Sequence, residues 1–142
     1  MVTRMTGDDW KRFAFDSPRT AKLATVRANG APHVAPVWVA LDGDEIVFTT
    51  GATTVKGRTI RRDPRVAMSF DDEAPPFSYL VIEGEARLSE DAEALLLWST
   101  RIGGRYMGED RAEAFGRRNA VPGELLVHVS PTRIAGEWNV SE

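Results

Sequence analysis

Between Thr49 and Arg65 the sequence reads TTGATTVKGRTIRRDPR, and this stretch holds the residues best suited to chemistry. Four hydroxyls (Thr49, Thr50, Thr53, Thr54) and Gly51 precede a predicted helix start, with Val55 and Lys56 in its first turn. The N–H groups of a helix's first turn have no intrahelical partner, so hydroxyls and a lysine placed there make a cradle for a phosphate. Arg58, Arg61, Arg62 and Arg65 follow, giving five bases in the ten residues that begin at Lys56. A helix this short spans only about 13 Å, which concentrates the charge. The plainer alternative is a capped helix with a solvated basic face, since the segment is neither a Walker loop nor a G-x-G-x-x-G turn. A second segment, His33 to Trp38 (HVAPVW), carries Pro36 inside a predicted strand. A proline there breaks the ladder, which leaves backbone groups free to meet a ligand, and Val37 and Trp38 could wall a flat heterocycle. Trp38 as a core residue is the competing reading.

Much other chemistry is excluded. The chain has no cysteine, so disulfides, thiolate metal sites and cysteine nucleophiles are absent. Its two histidines, His33 and His128, are far apart in the chain and form no H-E-x-x-H pair. No G-x-S-x-G elbow and no spaced carboxylate pair stands out, and the acidic run Asp71–Glu73 reads as a solvated turn. A phosphate cradle and an apolar slot without acid–base machinery suit a cofactor that carries its own chemistry.

The elements that must position these residues are short. With 142 residues, 42% hydrophobic and 27% charged, the chain has the size and composition of one globular domain, 1–142. A net charge of −3 argues against nucleic acid or a membrane surface as partner. No apolar run is long enough to span a bilayer, and Met1 to Lys11 lacks the apolar core of a signal peptide, so a cytoplasmic location is expected. Patterning predicts a helix over Asp8–Phe15, then strands over Thr20–Ala28, Pro32–Leu41 and Glu45–Thr50, with a two-residue hairpin turn at Asn29-Gly30. A helix over Thr54–Arg62, capped by Thr53 or Thr54, leads to strands over Arg65–Asp71 and Ser78–Leu88. A helix over Asp91–Ile102 is expected to end at Gly103-Gly104, with a second over Glu109–Arg118. Strands over Glu124–Ser130 and Arg133–Trp138, separated at Pro131-Thr132, close the chain. His128 is expected on the polar face of the first of these. Seven mostly antiparallel strands with a few helices suggest a small barrel-like sheet.

Taken in order, TAKLATVRANGAPHVAPVW, DEIVFTT and TVKGRTIRRDPRVAMSFDD resemble the pyridoxamine-phosphate-oxidase-like flavin and deazaflavin oxidoreductases. RIGGRYMG and FGRRNAVPGELLVHVSPTRI are similar to the actinobacterial, FDOR-B branch of that family, which uses coenzyme F420. The resemblance runs from about Ala21 to Ile134. It implies a mainly β fold, a split β-barrel of antiparallel Greek-key type with peripheral helices. It further implies a homodimer with two cofactor sites at the subunit interface. On this resemblance Thr49, Thr50, Thr54, Val55 and Lys56 hold the cofactor's phosphate, and the ring lies against Pro36, Val37 and Trp38. Arg58 and Arg61 anchor the phosphate or an acidic tail. Pro76, Phe77, Ser78 and Tyr79 contact the ring region, and Arg105, with Tyr106, approaches from the partner subunit. The implied activity is hydride transfer between F420 and a conjugated small-molecule substrate, with no residue assigned as catalytic. An FMN-dependent oxidase or reductase of the same fold, and a non-catalytic binder of a cofactor or tetrapyrrole, are the alternatives.

Overall fold

Alternation of buried and outward residues builds the sheet. In the strand Ala21–Val26, for example, Ala21, Leu23 and Thr25 are buried while Lys22, Ala24 and Val26 face out. The computed structural model describes residues 1–142. In chain order the elements are β1 (Thr3–Arg4), α1 (Asp9–Phe15), β2 (Ala21–Val26), β3 (Pro32–Val37), β4 (Ala40–Asp42), β5 (Glu45–Gly51) and α2 (Val55–Arg62). Then follow β6 (Arg65–Asp71), β7 (Tyr79–Ser89), α3 (Ala92–Met107), a 3-10 turn (Glu109–Arg111), α4 (Ala112–Asn119) and β8 (Glu124–Trp138). The strands form one antiparallel sheet in the order β3-β2-β6-β7-β8-β5-β4, with β1 on the far end of β8. Its two terminal strands, β3 and β4, are separated in the chain only by Trp38 and Val39, so the sheet curls until its ends meet. This is a split β-barrel with peripheral helices. No helix is long and apolar enough to cross a membrane.

The barrel is filled by Leu23, Phe48, Met68, Phe70, Leu80 and Ile82, with Trp10, Phe13 and Ala14 of α1 packed among them. A smaller apolar cluster lies outside the barrel wall, where Leu95, Trp98 and Ile102 of α3 cover Val47 of β5 and Leu126 of β8. The middle of β8 is therefore buried on both faces, and His128 with it. His128 is only 8% exposed, with its Nε2 3.1 Å from Asp42 Oδ2 and its ring edge-on to Trp98. That corrects its predicted place on a polar face: α3 lies over that face.

Four boundaries differ from the predicted ones, each for a packing reason. The β2–β3 connection is a three-residue loop, Ala28–Gly30, because Arg27 pairs with Ala31 and Gly30 sits at φ +87. The predicted strand Pro32–Leu41 breaks at Trp38-Val39, where the chain passes from one end of the sheet to the other. Helix α3 continues through Gly103-Gly104 to Met107. A Cβ at Gly103 would stand 2.6 Å from Phe115 Cβ, so the glycines serve close approach of α4 rather than termination. Strand β8 runs on past Pro131 through a β-bulge of its own: Pro131 faces Gly84 and Arg133 faces Glu83, so Thr132 is the extra residue and the bulge accommodates the proline's missing donor.

Candidate cofactor site

The site begins where β5 ends. Thr49, Thr50 and Gly51 pair with Leu126, Leu125 and Glu124 of β8, and the chain then turns sharply into α2. Thr54 is the N-cap: its Oγ1 accepts from the Gly57 amide at 3.1 Å and donates to the Gly51 carbonyl at 2.8 Å. Thr50 Oγ1 lies 3.0 Å from Thr54 Oγ1 and, with the Thr54 proton committed, is the donor there. The Thr54 hydroxyl is thus saturated within the chain. What remains open at this helix start are the amides of Val55 and Lys56, which take no part in any hydrogen bond, and the Lys56 ammonium, which pairs with no carboxylate. Gly57 permits the arrangement, since a Cβ there would lie 2.2 Å from the Gly51 carbonyl oxygen.

The opposite wall comes from the break between β3 and β4. Pro36 is tolerated because β3 is an edge strand, bonded only to β2. Val37 is buried, and the Trp38 ring stacks on Tyr106 with centroids 4.9 Å apart and planes 6° from parallel. The Tyr106 hydroxyl accepts from the Val39 amide at 3.1 Å and donates to the Arg19 carbonyl at 2.6 Å, which pins the break in place. Together Pro36, Val37, Trp38, Thr49, Thr50, Thr54 and Lys56 line one open cavity of about 360 Å³. Gly51, Ile102, Asn119 and Glu124 complete its lining.

Of these four, Glu124 carries charge and was not among the predicted residues. It follows the Pro122-Gly123 turn with no local signal of a site, and only the β5–β8 register sets it opposite Gly51. Its half-buried carboxyl has no hydrogen-bond partner; burial pushes its pKa up, and Lys56 opposes the shift. Tyr106, which holds Trp38 from within the same chain, acts on the site without lining the cavity.

The other predicted residues lie elsewhere. Val55 and Arg58 line a separate depression of about 340 Å³ with Arg27 and Arg62, on another face of α2. Arg61 turns towards Glu90, 3.8 Å away. Arg105 donates to the carbonyls of Phe15 at 3.2 Å and of Ser17, closing the C-terminal end of α1 within its own chain. Pro76, Phe77 and Ser78 are tied to the C-terminal tail: the Val140 amide donates to the Phe77 carbonyl at 2.7 Å, and the Asn139 amide to Ser78 Oγ at 3.1 Å. Tyr79 donates to Glu137 at 2.7 Å, and this bond holds its phenol above the usual range. None of these eight borders the cavity in this chain.

The family profile of pyridoxamine 5'-phosphate oxidase matches residues 8–136. A search of the curated proteins matches none of them. Among solved structures, the chain is similar to a conserved hypothetical protein of Mycobacterium tuberculosis, at 27% identity and TM-score 0.81, covering 96% of this chain and 86% of that one. It is also similar to an F420 reductase, at 30% identity and TM-score 0.68, covering 87% of this chain and 94% of that one. The heme storage protein HutZ of Vibrio cholerae, at 19% identity and TM-score 0.70 over 92% of each chain, shares the fold. A profile spanning nearly the whole chain and a relative at 30% identity point to one lineage: the chain belongs to the pyridoxamine 5'-phosphate oxidase family.

Proposed function

We propose that this protein is an F420-dependent oxidoreductase that acts on a conjugated small molecule as a homodimer. The observation that carries the reading is the pair of cationic sites on α2. One is the cavity, with the Val55 and Lys56 amides and the Lys56 ammonium; the other is the depression of Arg27, Arg58 and Arg62. A phosphodiester with a carboxylated tail has anions for both, whereas FMN, with one terminal phosphate, has an anion for one only. The 30% identical F420 reductase supports the same reading.

The residues fit such a group. Two unpaired amides and an ammonium are donors for a phosphate, and the Pro36–Trp38 wall offers apolar surface to a ring. When bound, F420 supplies hydride chemistry at a conjugated carbon. The chain's own part is to hold and orient: Lys56 and the α2 amides hold the phosphate, Trp38, kept rigid by Tyr106, supports one ring face, and Val37 and Ile102 exclude water. Positioning of the reacting atoms within about 3–3.5 Å supplies much of the rate in such reactions. A cavity of about 360 Å³ is at the small end for a cofactor site and stands open, which suits completion by a second copy of the chain.

The test is a paired titration of the protein with F420 and with FMN, following quenching of its four tryptophans, of which Trp38 borders the cavity. Micromolar or tighter F420 binding with weaker FMN binding is expected. Lys56→Ala should weaken F420 binding by about 1.5–3 kcal/mol, the worth of a charge-assisted hydrogen bond. Preference for FMN moves the protein to the flavin branch, and binding of neither overturns the cofactor reading.

A further inference from the structure

Glu124 is an odd residue to find in an anion cradle. It stands at the first position of β8, directly across the ladder from Gly51, and its Oε2 lies 3.3 Å from where a Cβ on Gly51 would be. It borders both the cavity and a neighbouring depression of about 310 Å³ formed by Leu95, Ala120 and Pro122. No side chain or amide donates to its carboxylate. The charged groups around it are few. Lys56 faces it from α2; Glu90, before α3, lies across the second depression and pairs with Arg61; α4 presents only neutral Asn119, and β3 and β5 present no charge.

The charge arithmetic of the cavity follows. Lys56 contributes one positive charge and ionised Glu124 one negative charge, leaving the partial positive charge of the α2 N-terminus, about half an elementary charge. A phosphomonoester carries about −1.5 to −2 at pH 7, because its second pKa is about 6, whereas a phosphodiester carries a single charge. The repulsion from Glu124 is felt in proportion to that charge.

We infer that Glu124 is a charge filter, making the cavity accept a singly charged phosphodiester in preference to a doubly charged phosphomonoester. This rests on the cofactor reading above and deepens it. The filter selects by repulsion: an unpaired like charge is set against the wrong ligand, while Lys56 attracts both. Asparagine or glutamine would have offered a donor at the same place; the carboxylate instead offers only acceptors. Burial raises the pKa of Glu124 against the pull of Lys56, so its repulsion weakens as pH falls and the filter closes as pH rises.

The experiment compares wild type with Glu124→Gln and Glu124→Ala, titrating each with FMN as the monoester and F420 as the diester at pH 5 and pH 8. At pH 8 removal of the carboxylate should tighten FMN binding about tenfold and F420 binding about threefold, the ratio expected when one ligand carries twice the charge of the other. At pH 5 the FMN phosphate is itself close to singly charged, so the FMN and F420 changes should converge. The alanine variant offers no new donor, so agreement between the two substitutions assigns the effect to charge. If the variants keep the wild-type FMN-to-F420 ratio at pH 8 while wild type binds F420, the filter is overturned and the cofactor reading stands. If wild type binds neither ligand, both fall together.

Discussion

Tyr106 shows how one side chain can serve the site without entering it. Its hydroxyl satisfies the Val39 amide and the Arg19 carbonyl, and its ring backs Trp38. Tyr106→Phe keeps the stack and strands the two backbone groups, so it should lower unfolding stability by about 1–3 kcal/mol with a small effect on F420 affinity. Tyr106→Ala also removes an aromatic pair worth about 0.5–1.5 kcal/mol beyond its buried area, and should weaken F420 binding clearly as Trp38 loosens. Urea denaturation and tryptophan quenching read the two effects separately. Equal affinities for the two variants would show that Trp38 needs no such support.

Among the elements, α2 is the one whose placement makes the cradle. Its Thr54 cap and the basic residues on its surface are legible from spacing, and its eight residues, Val55–Arg62, follow the predicted span closely. Gly57 looks in sequence like a weakness of about 1 kcal/mol in helix propensity. In the structure it lets the helix start lie against the end of β5, with no room for a Cβ beside the Gly51 carbonyl. Gly57→Ala should therefore destabilise despite alanine's better propensity, by about 1–3 kcal/mol, the usual range for overpacking. It should weaken F420 binding as well, because the Val55 and Lys56 amides move with the helix start. A thermal melt and a titration check both, and a more stable variant would show that β5 and α2 part without strain.

At the scale of the molecule the barrel is covered unevenly. Helix α3 lies over β5 and β8, while the outward face of β3, β2, β6 and β7 has no helix on it. Val34 on that face is 66% exposed, Val26 is 48% exposed, and Pro36 belongs both to it and to the cavity wall. We propose that the second subunit sits there, so that covering the valines also completes the site. Sedimentation should give a mass twice the 15.7 kDa of the chain. Val34→Glu, an outward substitution on an edge strand, should dissociate the dimer and weaken F420 binding together. A monomeric wild type that binds F420 fully would overturn the subunit proposal and leave the cradle intact.

Local signals in the sequence were enough to place most strands and the α2 cap, and to single out the Thr49–Lys56 and Pro36–Trp38 segments that line one cavity, because turn residues, caps and apolar alternation act over a few positions of chain. They could not decide what a residue far away in sequence would meet. Gly103-Gly104 reads as a helix stop until α4 packs against it, and Pro131 reads as a break until pairing with β7 carries the strand through a bulge at Thr132. Arg58 and Arg61 share a short helix with Lys56, yet the turn of about 3.6 residues per revolution sends one to a second depression and the other to Glu90. Arg105, read as reaching a partner's ligand, closes α1 of its own chain. Glu124 carries no local mark at all. Its place beside Lys56 comes from strand register, and register is a property of the whole barrel, set where every strand must bury one face at once.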